Sequence, residues 1–264
     1  MGGLNWVEML ISVLFAAVCA MAGALILMQR MVAICGEERQ YDLPAGNASL
    51  IGATIGGLSG LGVAILFIYY YFFAPDAKGW IEWVGRSSYL LILAASAAHL
   101  LTLVHSWTRI DAEQQNLKGA GPQRLTLLVQ RRAALEENQH QTHSYTDLKT
   151  RDDETVADLI SVFGDRLLVG QRALSRVPFY GYLGTVCGIL LMAQELARLD
   201  EATETFKVLR DMSTGLILAF KTTLIALLAY LPLRKGYDLL VTQMSAIEKA
   251  WLSMRDQPGS GSQT

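Results

Sequence analysis

Two apolar stretches in the C-terminal half of the chain contain side chains that can pass on protons or bind cations. The first, PFYGYLGTVCGILL at residues 178–191, contains Thr185, and the second, GLILAFKTTLIALLAYLPLRKG at residues 215–236, contains Lys221, Thr222 and Thr223. A hydroxyl both donates and accepts hydrogen bonds, so it can hand on a proton or coordinate a partly dehydrated cation. Polar and ionisable groups inside a membrane span seldom face lipid and are functional candidates. Thr185, Thr222 and Thr223 are therefore candidates to face the interior of a helix bundle or a wet path.

The two stretches place hydroxyls at similar depths. Thr185 lies seven residues from Pro178, about 10 Å along a helix, and Thr223 lies eleven residues from Arg234, about 16 Å. These depths allow the Thr185 and Thr223 hydroxyls to lie on neighbouring levels of one surface. The alternative is that each threonine only bonds the carbonyl oxygen four residues earlier in its own helix.

Glycines at short spacing accompany the first hydroxyl. Gly181, Gly184 and Gly188 are three or four residues apart, and the stretch begins at Pro178. Small residues four apart let helices in lipid pack backbone against backbone. We therefore predict close helix packing around Thr185. For a second series of this spacing we predict simple helix packing, and it consists of Gly52, Gly56 and Gly60.

Lys221 requires a partner if it lies at mid-membrane depth. At 100° per residue it points about 200° away from Thr223, so it faces a seam between helices when Thr223 faces the path. Glu195 lies about 25 Å from the inner end of its apolar run, and Lys221 about 20 Å from that of its own. We hypothesise an ion pair between Glu195 and Lys221, within or between subunits. We weigh equally the alternative that Lys221 pairs with a different acidic residue, which can belong to this chain or to a partner protein.

The composition is that of a membrane protein. Of the 264 residues, 52% are hydrophobic and only 17% are charged, and the mean hydropathy is +0.30. An average soluble domain has about 25% charged residues. The net charge of −2 gives no indication of nucleic-acid binding. The three cysteines have no metal-ligand spacing, and no His, Asp or Cys cluster has catalytic spacing, so we predict neither a metal site nor an enzyme.

Five apolar runs are long enough, or nearly long enough, to cross a bilayer as helices. They are residues 9–28, 50–73, 88–103 with an extension to 107, 179–197 and 215–233. An odd number of spans places the two termini on opposite sides. With the N-terminus outside, sixteen Lys and Arg residues lie on the inner side and five on the outer side. The apolar runs therefore predict an all-α protein with five transmembrane helices. The positive-inside rule predicts that its N-terminus lies outside and its C-terminus inside.

This arrangement divides the chain into four regions. We predict a three-span region at 1–107, a cytoplasmic helical insert at 108–176, a two-span hairpin at 177–236 and a cytoplasmic helical tail at 237–264 with a disordered end. Helical extensions of the last two spans carry apolar stripes, which we interpret as faces that pack against each other. The stripes are Val156, Leu159, Ile160, Phe163 and Leu167, and then Leu239, Leu240, Met244, Ile247 and Trp251.

The residues of the two-span hairpin resemble those of a known family. PFYGYLGTVCGI is similar to the proline-initiated glycine–threonine segment of the MotA/TolQ/ExbB proton-channel family, and AFKTTLIALLAYLP is similar to the family's last span. The second alignment runs without gaps from Ala219 to Pro232. It places Thr185 and Thr223 on the two threonines that line the ion path in the family. The resemblance covers about 60 residues, from Pro178 to Gly236.

The resemblance implies an assembly and an activity. Family members form homopentamers in the inner (cytoplasmic) membrane around two copies of a single-span partner of the MotB, TolR or ExbD type, which carries a membrane aspartate. Protons, or sodium ions in some members, cross at the interface and drive rotation, and no cofactor is involved. The chain departs from the family in having three spans before the insert, Leu218 where some members have glutamate, and Lys221 at a position that is usually apolar or acidic.

A non-motor transporter or membrane scaffold is the alternative function. Transporters often contain inverted repeats and broken helices. No internal repeat is visible in this sequence, and three spans followed by two do not suggest one. We therefore expect a channel subunit of an energy-transducing motor. The sequence leaves open the ion, H⁺ or Na⁺, and the process that the motor drives.

Overall fold

The described residues of the chain form helices connected by short links. A computed structural model describes residues 6–44, 46–72, 79–119, 126–141, 144–197 and 205–255. Within them, seven α-helices and one 3₁₀ turn at Arg39–Tyr41 follow one another. The helices are α1 (Trp6–Glu38), α2 (Ala48–Phe72), α3 (Trp80–Leu117), α4 (Leu127–Gln141), α5 (Tyr145–Leu174), α6 (Arg176–Leu196) and α7 (Thr205–Arg255).

Five helical segments are long and apolar enough to cross a membrane, as the sequence predicted. They are Trp6–Tyr41, Ala48–Tyr70, Trp80–Leu117, Tyr145–Leu196 and Met212–Arg255. The prediction of an all-helical protein with five spans is thus confirmed, while its sidedness stays a prediction. The helices continue across the predicted region boundaries, since α3 passes residue 107 and α7 passes residue 236. The predicted disordered end, residues 256–264, lies outside the described residues.

Proline has different surroundings in the two helices of the C-terminal hairpin. Pro178 lies in the first turn of α6, just after the break at Ser175 that separates α5 from α6. A proline is tolerated there because first-turn N–H groups have no partner within the helix. Pro232 lies inside α7, and the helix continues through it to Arg255. The boundary between α5 and α6 therefore lies at Ser175, three residues before Pro178.

The first two helices pack backbone against backbone. A Cβ atom added to Gly56 would overlap the carbonyl oxygen of Gly23, and one added to Gly60 would overlap that of Cys19. Gly52 is similarly close to the Leu27 carbonyl, at 2.9 Å from an added Cβ. The packing role predicted for the glycine series of α2 is what these contacts show.

A buried carboxylate joins this first hairpin to the rest of the protein. Glu38, at the end of α1, has no exposed surface, and its oxygens lie 2.7 Å from His105 Nε2, 2.8 Å from Arg109 Nη2 and 2.6 Å from Arg166 Nη1. The two arginines and the histidine belong to α3 and α5. Because a buried charge is tolerated only when it is paired, this cluster fixes the end of α1 against both helices.

The polar end of the molecule has its own apolar core. Both predicted stripes contribute to it, except that Leu239 is 48% exposed and Ile160 is only partly buried. The N-terminus of α4 is held by α3, because Glu113 accepts hydrogen bonds from the N–H groups of Leu127 (2.8 Å) and Leu128 (3.1 Å). A carboxylate is favourable at a helix N-terminus, where N–H groups lack partners. This end of the protein therefore holds α5 and α7 in fixed positions as they continue into the apolar hairpin.

Candidate functional site

The fourth and fifth spans, α6 and α7, approach each other at three glycines. A Cβ added to Gly188 would overlap the carbonyl oxygen of Gly215, and one added to Gly181 would lie 2.6 Å from Ala226 Cβ. At Gly184 the added atom would lie 2.5 Å from Thr222 Cβ. Because these glycines have no side chain, α7 can lie directly against the backbone of α6. This antiparallel register fixes which side chains of the two helices face each other.

Two hydroxyls meet across this contact. Thr185 Oγ1 of α6 lies 2.5 Å from Thr223 Oγ1 of α7, and either oxygen can be the donor. Each hydroxyl is also within reach of the carbonyl oxygen four residues earlier: Gly181 O at 3.2 Å from Thr185 Oγ1, and Ala219 O at 3.1 Å from Thr223 Oγ1. The back-bonding arrangement and the shared surface, which we treated as alternatives, are therefore present together.

The hydroxyl pair can exist in two hydrogen-bonding states. Thr185 Oγ1 also lies 3.3 Å from Ala219 O, so two carbonyl oxygens and the two hydroxyl oxygens themselves can accept the two hydroxyl protons. In one state Thr185 donates to Thr223, and in the other Thr223 donates to Thr185, while the remaining proton goes to a carbonyl oxygen. Rotation of the hydroxyls interconverts the states without movement of the helices. Such a pair can relay a proton, and its lone pairs can coordinate a cation.

Thr222 has a different environment from Thr223, although we placed both along the predicted path. Its side chain is fully buried, and its hydroxyl donates to the carbonyl oxygens of Leu218 and Ala219, both at 3.0 Å. The space left by Gly184 is filled by this side chain. Thr222 therefore keeps the two helices at the distance at which the Thr185 and Thr223 hydroxyls meet.

The structure does not bring Glu195 and Lys221 together within one copy. Among the described residues, no ion pair joins them, and Lys221 is exposed on the surface of α7. Because Thr222 packs against Gly184, Lys221 lies level with about Thr185, and Glu195 is ten residues further along α6, about 15 Å. The register of α6 and α7 therefore holds Glu195 and Lys221 at different levels within one copy.

A third helix completes the site, and the sequence pattern did not predict its position. Gly85 of α3 packs against Leu218 of α7 and Cys187 of α6: an added Cβ would lie 2.8 Å from Leu218 Cδ2 and 3.2 Å from Cys187 Cβ. Both contacts lie close to the threonine pair in sequence. An isolated glycine before the third apolar run was the only signal, and it could not indicate which helix came near.

The site contains neither a metal-ligand cluster nor a local acid among the described residues. No group of three or more His, Cys, Asp and Glu residues in that part of the chain could hold a metal ion. The hydroxyls and carbonyl oxygens carry only partial negative charge.

A comparison with protein-family models gives an independent result. Residues 110–252 match the model of the MotA/TolQ/ExbB proton channel family. Comparisons with curated proteins and with solved structures give no match. The matched region is more than half of the chain and includes α4, α5, α6 and most of α7, with the Thr185–Thr223 pair near its centre. The match agrees with the resemblance of the two-span hairpin, and the chain belongs to the MotA/TolQ/ExbB proton channel family.

Proposed function

We propose that this chain is the ion-conducting subunit of a rotary, energy-transducing complex, and that protons are the ion. The observation that carries the proposal is the 2.5 Å contact between the Thr185 and Thr223 hydroxyls, at the centre of the two helices that match the family. In this proposal the hydroxyl pair lines the ion path. It receives and releases a proton, or coordinates a cation such as Na⁺, by rotation of its O–H bonds.

The proposed assembly is a homopentamer around two copies of a MotB/TolR/ExbD-like single-span protein. It lies in the inner membrane, with the N-terminus outside and the C-terminus inside. Support comes from large apolar side chains on α6 and α7 that are exposed in the single chain and available to neighbouring helices or lipid. Examples are Phe179 (65% exposed), Tyr182 (59%), Phe220 (68%) and Leu228 (62%). The partner supplies the carboxylate that the site lacks.

The proposed energy conversion follows from the separate roles of the partner's carboxylate and the hydroxyls of this chain. A carboxylate on the partner carries the charge, and the hydroxyls of this chain offer it a polar surface in an apolar surrounding. Protonation and deprotonation of that carboxylate change its preference for the hydroxyl pair of one subunit over the next. The helix α6 follows directly on α5, and α7 runs from the site into the polar end of the molecule, so α5 and α7 can transmit the resulting movement as mechanical work.

Ion flux through the hydroxyl pair tests the proposal. Thr185→Val and Thr223→Val keep the side-chain shape and remove the hydroxyl. We expect each to lower ion flux into membrane vesicles under an imposed potential by about tenfold, the factor that corresponds to one lost hydrogen bond of about 1.4 kcal/mol. Thr54→Val is the matched control, since the Thr54 hydroxyl is exposed on α2 and bonds only its own helix at Leu50 and Ile51. Unchanged flux in both hydroxyl variants would exclude the path.

The stoichiometry tests the assembly separately. Native mass spectrometry of the chain isolated from its own membrane should give five copies with two copies of a short single-span protein. A monomer or dimer without such a protein would instead favour the non-motor transporter or scaffold. In that case the family relationship would describe ancestry and helix packing only.

A further inference from the structure

The helix α3 turns one face toward α7 over most of the membrane-spanning length. Three contacts define this face, and they join Gly85 to Leu218, His99 to Tyr237 and Leu103 to Gly236. At 100° per residue, these three residues of α3 lie within about 40° of one another around the helix. The same rotation places Ser88, Ser96 and Ser106 within about 60° of His99. The face that meets α7 therefore carries three hydroxyls and an imidazole.

The three serines of this face differ in their hydrogen bonds. The hydroxyl of Ser88 donates to the Gly85 carbonyl oxygen at 2.7 Å, as serines within helices commonly do. The hydroxyl oxygens of Ser96 and Ser106 are buried and have no hydrogen-bond partner among the described residues. A buried polar group without a partner costs about 1–3 kcal/mol, and ordered water normally supplies the missing bond. Ser96 and Ser106 therefore indicate hydration of this seam.

A histidine that can carry a proton lies between the two serines. His99 Nδ1 lies 3.1 Å from the hydroxyl oxygen of Tyr237, which is fully buried. The tyrosine hydroxyl fits beside Gly170 of α5, where an added Cβ would lie 2.5 Å from it. Arg30 of α1 is the charged group whose field acts on His99. Imidazole takes up and releases a proton near neutral pH, and a phenol hydroxyl both donates and accepts hydrogen bonds.

These groups lie between the hydroxyl pair and the polar end of the molecule. Because Gly85 is level with Leu218 and Leu103 with Gly236, α3 and α7 run side by side in one register. Ser96, His99 and Ser106 then lie about 9, 14 and 24 Å beyond the level of Thr223, toward the polar end.

An apolar layer separates these groups from the hydroxyl pair. It contains Ile92 of α3 and Ala226 of α7, which are 2% and 1% exposed and belong to the apolar core. By the same register, both residues lie between the levels of Thr223 and Ser96. The polar groups of the α3 face therefore begin on the far side of this layer.

We propose that Ser96, His99 and Ser106, together with Tyr237, form a hydrated proton route toward the polar end of the molecule, with His99 as the proton carrier. The three residues of α3 precede residue 110, where the family match begins, so the family relationship does not assign them. The inference rests on the proposed function, which brings protons to this route. His99 gains one proton from the side of Ser96 and releases one toward Ser106, and no other bond forms or breaks.

Proton flux in native membrane vesicles tests the carrier. His99→Gln keeps a hydrogen-bonding group for Tyr237 but takes up no proton, so flux should fall at least about tenfold. His99→Ala should lose as much, and imidazole added to the medium should restore much of it by replacing the missing ring. Imidazole should not restore His99→Gln, because the glutamine side chain occupies the space. His140→Gln is the matched control, since His140 is exposed on α4.

Two results would overturn the role of His99. Unchanged flux in His99→Gln would mean that protons do not pass through this residue. A loss in His99→Ala that imidazole does not restore would assign His99 to helix packing only.

Cysteine labelling tests the hydration of the route independently of flux. A thiolate displaces methanesulfinate from 2-aminoethyl methanethiosulfonate and forms a mixed disulfide, and it forms only where water reaches the thiol. Ser96→Cys and Ser106→Cys should react at least about tenfold faster than Ser88→Cys, as read by mass spectrometry of the peptides. Ser88 is the matched control because it lies on the same face, is fully buried and has a bonded hydroxyl. Equally slow labelling at all three positions would show a dry seam and overturn the route.

The same vesicles separate this inference from the proposed function. If His99→Gln leaves flux unchanged while Thr223→Val lowers it, the inference fails and the proposed ion path stands. If His99→Gln lowers proton flux and imidazole restores His99→Ala while Thr223→Val has no effect, the route along α3 stands and the path through the hydroxyl pair fails.

Discussion

The two helix hairpins of this protein, α1–α2 and α6–α7, use glycine in the same way and differ in what meets across the contact. Gly56 against Gly23 and Gly188 against Gly215 both bring backbones so close that a Cβ would overlap a carbonyl oxygen. In α1–α2, Thr54 points outward and bonds only its own helix. In α6–α7, two threonines point at each other across the contact. Glycine therefore allows close helix packing in both hairpins. Only in α6–α7 does this packing bring two hydroxyls together as a candidate functional site.

The family match includes the α6–α7 hairpin and leaves out the α1–α2 hairpin. It begins at residue 110, within α3, and leaves α1 and α2 outside. The helix α3 packs on α2 and also on α6 and α7, so it separates the two hairpins. We therefore expect that damage to the α1–α2 hairpin changes stability more than ion flux. The following predictions test this separation.

The largest effect is expected where α1 joins the rest of the protein. Glu38→Ala removes the carboxylate that pairs with His105, Arg109 and Arg166. Arg109 is then left with the Pro44 carbonyl oxygen and Arg166 with the exposed Glu37. Breaking a buried ion pair costs about 3–5 kcal/mol. We expect a large drop in melting temperature and faster alkylation of Cys35, which is only 6% exposed one turn earlier in α1. Flux per folded complex should change little.

Glu37 is the matched control for this experiment. It neighbours Glu38, but its side chain is 77% exposed and its contact with Arg166 is long, at 3.3 Å. Exposed ion pairs contribute about 0–1 kcal/mol, so Glu37→Ala should leave both melting temperature and Cys35 alkylation nearly unchanged. If Glu38→Ala stops flux in complexes that remain folded, the two hairpins are functionally coupled, and the separation is wrong.

A smaller effect should distinguish the two glycine contacts. Gly188→Ala and Gly60→Ala each force a Cβ against a backbone carbonyl oxygen, of Gly215 and of Cys19 respectively. Overpacking of this kind costs about 1–3 kcal/mol, so both variants should melt at lower temperature. Only Gly188→Ala should also lower flux, because separation of α6 from α7 lengthens the Thr185–Thr223 hydrogen bond.

An open glycine provides the reference for this pair. No atom lies within 4 Å of a Cβ added to Gly36, so Gly36→Ala should be neutral or slightly stabilising through helix propensity. Equal flux loss in Gly60→Ala and Gly188→Ala would mean that general destabilisation, and not the hydroxyl distance, explains the effect.

How far the sequence predicted these features depends on how local they are. The five spans follow from apolar length, and the similar depths of Thr185 and Thr223 follow from helical rise. The Glu38 cluster was not predicted, because its partners lie 67 to 128 residues away along the chain. The contact of Gly85 with Leu218 was missed for the same reason. The roles of Thr222 and Thr223 could not be separated, because they depend on how α7 is rotated against α6.

The smallest effect is expected at Thr222, and it separates the role of this residue from that of Thr223. Thr222→Val keeps the shape that fills the space beside Gly184 and removes a hydroxyl that bonds only Leu218 and Ala219 of its own helix. Those carbonyl oxygens keep their other hydrogen bonds in α7, so the loss should be well under 1 kcal/mol, at the low end for a hydrogen bond. Flux should stay within about twofold of the unmodified protein, against the roughly tenfold loss expected for Thr223→Val.

Thr222→Ala separates packing from hydroxyl chemistry at the same position. It removes the hydroxyl together with the methyl group and leaves a small void beside Gly184, so stability should fall by about 1 kcal/mol. Flux should fall slightly, because α6 and α7 can then shift against each other. If Thr222→Val lowered flux as strongly as Thr223→Val, the ion path would include both hydroxyls. A shape-keeping variant that conducts and a void-forming variant that conducts less would instead establish Thr222 as the residue that sets the distance between the two conducting hydroxyls.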